Sequence, residues 1–208
     1  MGLGKTVIAL ALVVASPPAL QNRVLPREHL AKIKHPAYLL PPSVKSFPTD
    51  RTSLLSNGTL VIAPMTLCPQ WQSEIERFAP WMSVLCLHNE ENNSAADIAS
   101  RDIVVISTFL LANQRGKTLE LLMKLRKIHF HRIFLDESHL NNRSSRSADN
   151  SRDTNNTRLI KSGLAQLSGT HRYCVTGTPV GQSLADLYGQ LRFLRVPEFC
   201  REDFWSVK

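Results

Sequence analysis

Apolar residues along this chain follow two alternating patterns, short unbroken runs and longer stretches with helical spacing. The short runs predict buried strands, at residues 59–63, 84–87, 103–106, 133–135 and 173–175. The longer stretches predict helices, at residues 7–14, about 68–78, 119–128, a stretch ending near 167, and 184–194. Because strands and helices alternate, the sequence predicts an α/β fold, a parallel sheet with helices on both faces.

Several residues in these elements have both a structural and a functional interpretation. Trp71, Ile75 and Phe78 recur at helical spacing, and we interpret that face as core rather than a platform for stacking bases. His129 and His131 precede the fourth run and are interpreted as edge or surface histidines. The last helix is predicted to turn four side chains inward, those of Leu184, Leu187, Tyr188 and Leu191.

Two polar stretches interrupt the pattern. Residues 16–58 contain seven prolines and scattered basic residues, which predicts an insertion or linker rather than a packed layer. Its basic residues could touch phosphate backbones, but a solvated loop is the favoured interpretation. Residues 141–157 are rich in Asn, Ser, Arg and Asp and predict a loop. We therefore predict one lobe over residues 1–208 with the insertion inside it.

The chain is basic, with 25 Lys and Arg against 17 Asp and Glu, a formal net charge of +8. Such a balance favours a polyanionic partner, nucleic acid first; a basic chain without such a partner is the alternative. None of the four cysteines forms a Cys-x-x-Cys pair, so neither a zinc site nor a disulfide framework is indicated, and a reducing compartment fits. Cys86 and Cys174 lie in strand-like runs and are predicted to be small core residues.

The amino terminus also imitates targeting signals. Lys5 followed by an apolar run over residues 7–15 resembles a signal peptide, and Met1-Gly2 with Thr6 fits a loose myristoylation pattern. The run is too short to span a membrane. A phosphate-binding loop, described below, is the favoured interpretation.

Two adjacent carboxylates, Asp136 and Glu137, directly follow the fourth apolar run. Acids at the carboxyl end of a buried parallel strand lie at the mouth of the sheet, where open α/β sheets bind ligands. Adjacent acids are costly to bury unless a metal ion or a proton relay uses them. The pair therefore predicts a Mg²⁺ ligand in Asp136 and, in Glu137, an acid that orients and deprotonates an attacking water. A plain solvated strand end is the alternative.

Gly4, Lys5 and Thr6 match the end of the Gly-x4-Gly-Lys-Ser/Thr phosphate-binding pattern, whose first position would precede Met1. Glycines, here Gly2 and Gly4, let backbone N–H groups turn towards phosphate. Lys5 is predicted to meet the β and γ phosphates of ATP, and the Thr6 hydroxyl to join the Mg²⁺ shell. The positive N-terminal end of the following helix would face the same anion.

Four blocks with these motifs stand in a fixed order along the chain. They are Gly2–Thr6, Leu60–Pro64 with Gln70-Trp71, Asp136–His139, and Thr176–Pro179 leading to Asp186-Leu187-Tyr188. Together they resemble the first RecA-like lobe of the SWI/SNF-type helicase-like ATPases of superfamily 2. The resemblance covers nearly the whole chain, outside the insertion and the loop after His139. The long insertion resembles the subgroup that carries RING fingers and acts in DNA repair and chromatin.

The resemblance implies a role for each block. Asp136 and Glu137 become the metal-binding and catalytic acids, and the first block binds ATP and Mg²⁺. The Leu60–Pro64 block, with Ser107 and Thr108, would lie along the DNA backbone. Thr176, Gly177 and Thr178 would couple hydrolysis to movement on double-stranded DNA. The implied partners are double-stranded DNA or chromatin and a second RecA-like lobe, with no membrane, and the implied location is the nucleus.

The chain also departs from the family's pattern. It begins inside the first motif, it carries no second lobe with an arginine finger, and Gly181-Gln182 stands where the family has Gln-Asn. An arginine finger contributes several orders of magnitude in rate. The resemblance therefore implies a lobe truncated at its N-terminus that hydrolyses ATP negligibly by itself.

Three functions compete at this point. The first is the ATP-binding lobe of a DNA-dependent ATPase, active when joined to a second lobe. The second is a non-catalytic DNA- or chromatin-binding fragment, which a steep salt dependence without a nucleotide effect would favour. The third is a small P-loop kinase or another P-loop enzyme, which is disfavoured because Thr-Gly-Thr-Pro after Asp-Glu-Ser-His is a helicase-type arrangement.

Overall fold

The structure is a computed structural model that describes residues 4–16, 54–87, 93–139, 160, 162–180 and 187–197. Most of the predicted insertion and the loop at residues 141–157 lie outside these ranges. In the described part, five strands form one sheet in the order β2-β3-β1-β4-β5, and every neighbouring pair is parallel. The strands are β1 (Leu54–Ala63), β2 (Val84–Leu87), β3 (Ile103–Ser107), β4 (Ile128–Asp136) and β5 (Ser168–Val175).

Helices cover both faces of this sheet, as predicted. They are α1 (Lys5–Ala15), α2 (Cys68–Phe78), α3 (Ala95–Ala99), α4 (Thr108–Ala112), α5 (Gly116–Arg126) and α6 (Leu187–Leu194). A short 3₁₀ turn, Met65–Leu67, precedes α2, and residues 162–166 are helical. None of the helices in the described ranges is long and apolar enough to cross a membrane.

The core is divided into two layers by the alternation of side chains along the strands. Leu60 and Ile62 of β1 belong to one buried cluster, which also takes in residues from α3, α4 and α5. Val61 and Ala63 belong to the other, which takes in residues from α1 and α2. Near-continuous burial along β1, β3 and β4 explains why these strands appear as unbroken apolar runs.

β1 begins at Leu54, five residues before the strand predicted at residue 59, so residues 54–58 extend the sheet. The polar residues there interrupt the apolar run, so the sequence did not predict this part of the strand. In the same segment the pairing with β4 shifts register, between Ser56 and Thr59. The Ser56 hydroxyl donates to the Ala99 carbonyl at 2.7 Å, which satisfies it at a buried position. A side chain at Gly58 would come within 2.3 Å of the Arg101 carbonyl oxygen, so the backbone passes there only as glycine.

β4 also begins earlier than its apolar run, at Ile128, and includes the two histidines that were expected just before it. His129 is buried, and its two ring nitrogens lie 2.7 Å from the Ser168 hydroxyl and 3.0 Å from the Thr170 hydroxyl. His131 packs edge-on against His171, with ring centroids 5.1 Å apart. These contacts join β4 to the outer strand β5, so both histidines have a structural role. The predicted edge or surface position is wrong for His129, which is buried on an inner strand.

The cysteine thiols provide a test of this packing. Of the three cysteines in the described ranges, Cys68 is buried, while Cys86 and Cys174 are half-buried. Burial raises the pKa of Cys68 and of Cys174 to about 11. Because alkylation proceeds through the thiolate, we expect both to react with iodoacetamide at pH 7.5 roughly 100-fold more slowly than in the unfolded chain. Mass spectrometry of timed labelling, with the urea-unfolded chain as the control, measures this. Equal rates in the two states would contradict the packing.

Candidate functional site

The candidate site begins at the N-terminus of α1, where the chain turns through a left-handed glycine. Gly4 has φ +65 and caps the helix, and its carbonyl accepts from the Ile8 N–H at 2.9 Å. A Cβ at Gly4 would meet open space, so conformation rather than room demands glycine here. Among the residues that the structure describes, no side chain caps the helix, and its first turn holds no acid. The N–H groups and positive end of an 11-residue helix are thus available to an anion.

The first residue of α1 contacts the acid pair at the end of β4. The Lys5 ammonium forms an ion pair with Glu137, from which it is separated by 132 positions in the sequence. Their side chains are 29% and 21% exposed, so water screens the pair and its net stabilisation is small. A phosphate can therefore replace the Glu137 carboxylate as the partner of Lys5. Thr6 follows at a buried position of the same helix turn.

Glu137 adopts an unusual backbone conformation. Its φ is 45, in the left-handed region that non-glycine residues rarely enter. Such conformations cost on the order of 1 kcal/mol and collect at functional sites. Here the turn directs one carboxylate oxygen at Lys5 and leaves the other 3.3 Å from Nδ1 of His139.

Asp136 is buried and held in place on both of its oxygens. Its Oδ2 accepts from the indole N–H of Trp71 at 2.8 Å, and its Oδ1 accepts from the Glu137 backbone N–H at 2.8 Å. Trp71 is itself only 2% exposed, in the core between α2 and the sheet. The sequence placed Trp71 in the core but gave no sign of this bond. An indole N–H needs a partner when buried, and the acid at the strand end supplies it.

We expect Trp71→Phe to weaken Mg²⁺-dependent nucleotide binding by roughly tenfold, the usual effect of removing a partner that orients a metal ligand. Phenylalanine fills most of the space but cannot donate to Asp136. Trp81→Phe is the matched control, because Trp81 is 68% exposed. Calorimetric titration of the folded variants measures the change, and equal affinities in the two variants would contradict the role given to Trp71.

The Thr-Gly-Thr block lies beside the acid pair, connected through His139. Nδ1 of His139 is 2.7 Å from the Thr176 hydroxyl, which also accepts from the Thr178 backbone N–H at 3.2 Å. His139 therefore touches both Glu137 and Thr176. A movement of the Glu137 carboxylate can therefore be transmitted to the Thr176–Thr178 loop through the imidazole of His139.

The structure brings most of the sequence-predicted residues to one edge of the sheet. Gly4, Lys5 and Thr6 open α1, the acids end β4, and Thr176 to Thr178 follow β5. Gly2 lies outside the described residues. Ser107 ends β3 beside Ala63, and its hydroxyl accepts from the Leu110 N–H at 3.3 Å to cap α4. Thr108 opens that helix. Ser107 thus has a structural bond in addition to any contact with DNA.

Two more residues of the site, Ser138 and Gln190, were given no role by the sequence analysis. Ser138, after the acid pair, is fully buried, and it donates to the Gln190 side chain at 2.9 Å. Gln190 and Phe193 are the buried residues of α6, while Leu187, Tyr188 and Leu191 are only half-buried. The prediction that these three are the inward side chains is corrected accordingly, and Leu184 lies outside the described residues.

These residues fit a nucleotide with its magnesium ion. The helix N-terminus and Lys5 suit phosphate oxygens. Asp136 and the Thr6 hydroxyl are hard oxygen ligands of the kind Mg²⁺ takes, since this ion keeps several waters and uses few protein ligands. Glu137, half-exposed on the same edge, can orient or deprotonate a water molecule.

Comparison with known proteins finds DNA repair proteins that are similar to this chain in sequence. The chain is 30% identical over 221 residues to DNA repair protein RAD5B of Arabidopsis thaliana, covering 99% of this chain and 15% of that protein. It is 26% identical over 215 residues to DNA repair protein rad8 of Schizosaccharomyces pombe, covering 100% of this chain and 16% of that protein. The chain thus spans about a sixth of the length of these relatives.

A solved structure shares the fold. The SWI2/SNF2 ATPase core of Sulfolobus solfataricus, solved in complex with double-stranded DNA, superposes with a TM-score of 0.55 over 93% of this chain and 30% of that one, at 20% sequence identity. The parallel sheet with helices on both faces is therefore that of an SNF2-type ATPase core. The model of the SNF2-related domain matches residues 1–208, and the chain belongs to this family.

Proposed function

We propose that this chain is the ATP-binding lobe of a DNA-dependent ATPase that translocates on double-stranded DNA, in chromatin remodelling or DNA repair. The observation that carries the proposal is the contact between Lys5 and Glu137. It joins the proposed phosphate-binding lysine to the candidate catalytic acid, although the two lie 132 positions apart in the sequence. Membership of the SNF2-related family supports the same conclusion.

The proposed chemistry follows from the positions of these side chains. ATP with Mg²⁺ supplies the phosphoanhydride to be cleaved. Lys5 would leave Glu137 for the phosphates, and Asp136, with Thr6, would hold the metal ion. The released Glu137 carboxylate would then orient a water and take its proton, while the water oxygen bonds to the γ-phosphorus and ADP leaves with the bridging oxygen. His139 and Thr176 carry the change to the Thr-Gly-Thr loop.

Residues 1–208 are proposed to form part of one RecA-like lobe, with the basic segment at 16–58 as an insertion. A second lobe would complete the catalytic site, and double-stranded DNA would lie along Leu60–Pro64, Ser107 and Thr108. The DNA repair function named for the relatives and the DNA in the related ATPase-core complex support this partner. A nuclear location follows from it. We propose that hydrolysis by residues 1–208 alone is negligible, because the catalytic site would need residues of the second lobe.

The alternative is a non-catalytic fragment that binds DNA or chromatin, which the net charge of +8 supports. Binding to a fluorescent DNA duplex, titrated at several salt concentrations with and without MgATP, separates the two. A lobe of a motor should bind DNA with an affinity that changes on nucleotide addition. A salt-dependent affinity that is unchanged by nucleotide favours the fragment instead.

A further inference from the structure

A buried amide joins two loops of the site. Gln190, on α6, is 5% exposed and Ser138 is fully buried. The Ser138 hydroxyl donates to Oε1 of Gln190 at 2.9 Å, and Nε2 of Gln190 donates to the Pro179 carbonyl at 2.6 Å. Ser138 directly follows the acid Glu137, and Pro179 directly follows the Thr-Gly-Thr block. One side chain therefore bridges the loops that end β4 and β5.

The chemistry of the partners fixes the direction of both hydrogen bonds. The Pro179 carbonyl can only accept, so the Gln190 NH₂ group must face it. The amide oxygen then faces Ser138, whose hydroxyl must donate. Gln190 has a third contact through its backbone, because its main-chain carbonyl oxygen lies 3.9 Å from the Cys174 sulfur and accepts from the thiol. Burial raises the pKa of that thiol to about 11, so it keeps the proton that it donates.

A purely apolar packing role does not account for this residue. A buried amide costs free energy unless its groups are bonded, and leucine of similar size would fill the same space without that cost. Both polar ends of Gln190 are used, and they are used on two different loops. Gln190 therefore connects the two loops by hydrogen bonds in addition to filling space in the core.

We propose that Gln190 is a positioning residue that holds the Thr176–Pro179 loop at a set distance from the acid pair, so that displacement of Glu137 is passed to the loop. The second half of this proposal rests on the proposed nucleotide function; the first half does not. Gln190 acts beside the His139–Thr176 contact and through different atoms.

The test uses the full chain and begins without nucleotide. Amide hydrogen exchange at Thr178, followed by NMR, reports the order of the loop. Gln190→Leu should raise the exchange rate roughly five- to tenfold, as expected for losing a buried hydrogen bond. Ser138→Ala should raise it less, and the double variant should match Gln190→Leu, because Ser138 acts through Gln190. Ile98→Val, in the core on α3, controls for a general loss of stability.

Two results would contradict the proposal that Gln190 positions the Thr176–Pro179 loop. One is exchange in Gln190→Leu no faster than in Ile98→Val, and the other is a double variant whose effect is the product of the two single ones. If Gln190→Leu does not fold, Ser138→Ala decides the question by the same comparison with Ile98→Val.

A second measurement adds MgADP. In the wild-type chain bound nucleotide should change Thr178 exchange, and Gln190→Leu should reduce that change by at least half while the Kd stays within about threefold. An undiminished change would overturn the coupling. If the wild-type chain binds no nucleotide, the proposed function and the coupling both fail, whereas the nucleotide-free exchange still decides whether Gln190 positions the loop.

Discussion

Lys5→Ala should lower the affinity of the chain for MgATP by about 100-fold, the upper range for removing a charged hydrogen-bond donor from a phosphate. Two effects contribute. The γ-phosphate loses its cation, and Glu137 loses the ion-pair partner that it has in the free protein. The unpaired carboxylate then stands near the phosphate and repels it. Titration with a fluorescent ATP analogue measures the change.

Lys117→Ala is the matched control for this variant, because Lys117 is an exposed lysine on α5. It removes the same charge from the chain and should leave the affinity within about twofold. An equal loss in both variants would mean that net charge, not the loop at Gly4–Thr6, holds the nucleotide. No loss in Lys5→Ala would remove Lys5 from the phosphate site.

Asp136→Asn should abolish the dependence of nucleotide binding on Mg²⁺. Asparagine keeps the size of the side chain and an oxygen that can accept from Trp71, and it loses only the bond that Oδ1 accepts from the Glu137 N–H, so the fold around β4 is expected to persist. It lacks the charge that a hard cation requires. In the wild-type chain, chelating Mg²⁺ with EDTA should weaken ATP binding by roughly tenfold or more. In the variant, the ratio of the ATP affinity with Mg²⁺ to the ATP affinity with EDTA should fall to about one.

Asp102→Asn is the control for this substitution. Asp102 is exposed, precedes β3, and accepts from Ser83. Asp102→Asn should keep the wild-type ratio of ATP affinities with Mg²⁺ and with EDTA. A persistent Mg²⁺ effect in Asp136→Asn would mean that the metal ion is held elsewhere, and Glu137 would then be the next residue to replace.

Much of the candidate site could be proposed from the sequence, because the chemistry of phosphate and metal binding restricts residue types within short segments. Gly4, Lys5 and Thr6 form one helix start, and Asp136 with Glu137 one strand end. Each signal is local, so the sequence displays it directly. The parallel sheet was predictable for a similar reason, since strands buried on both faces appear as unbroken apolar runs.

The missed features depend on contacts distant in sequence. Trp71 fits a core position by its spacing, and only the fold brings its N–H to an acid 65 positions away. Gln190 received no role in the sequence analysis because helical periodicity picks out apolar side chains, yet its amide is buried and bonded to Ser138 and Pro179. The start of β1 was missed because Ser56 and Gly58 break the apolar pattern where the register shifts. Periodicity describes one element at a time, whereas these three features belong to pairs of elements.

The most direct test of the account is calorimetric titration of the wild-type chain with ATP, with Mg²⁺ and then with EDTA. The account predicts saturable one-to-one binding that weakens when the metal is removed, since the contact between Lys5 and Glu137 brings the proposed phosphate-binding and catalytic residues together. A folded chain that shows no saturable binding at millimolar ATP would contradict it. The chain would then be better explained as a DNA- or chromatin-binding member of the SNF2-related family without nucleotide function.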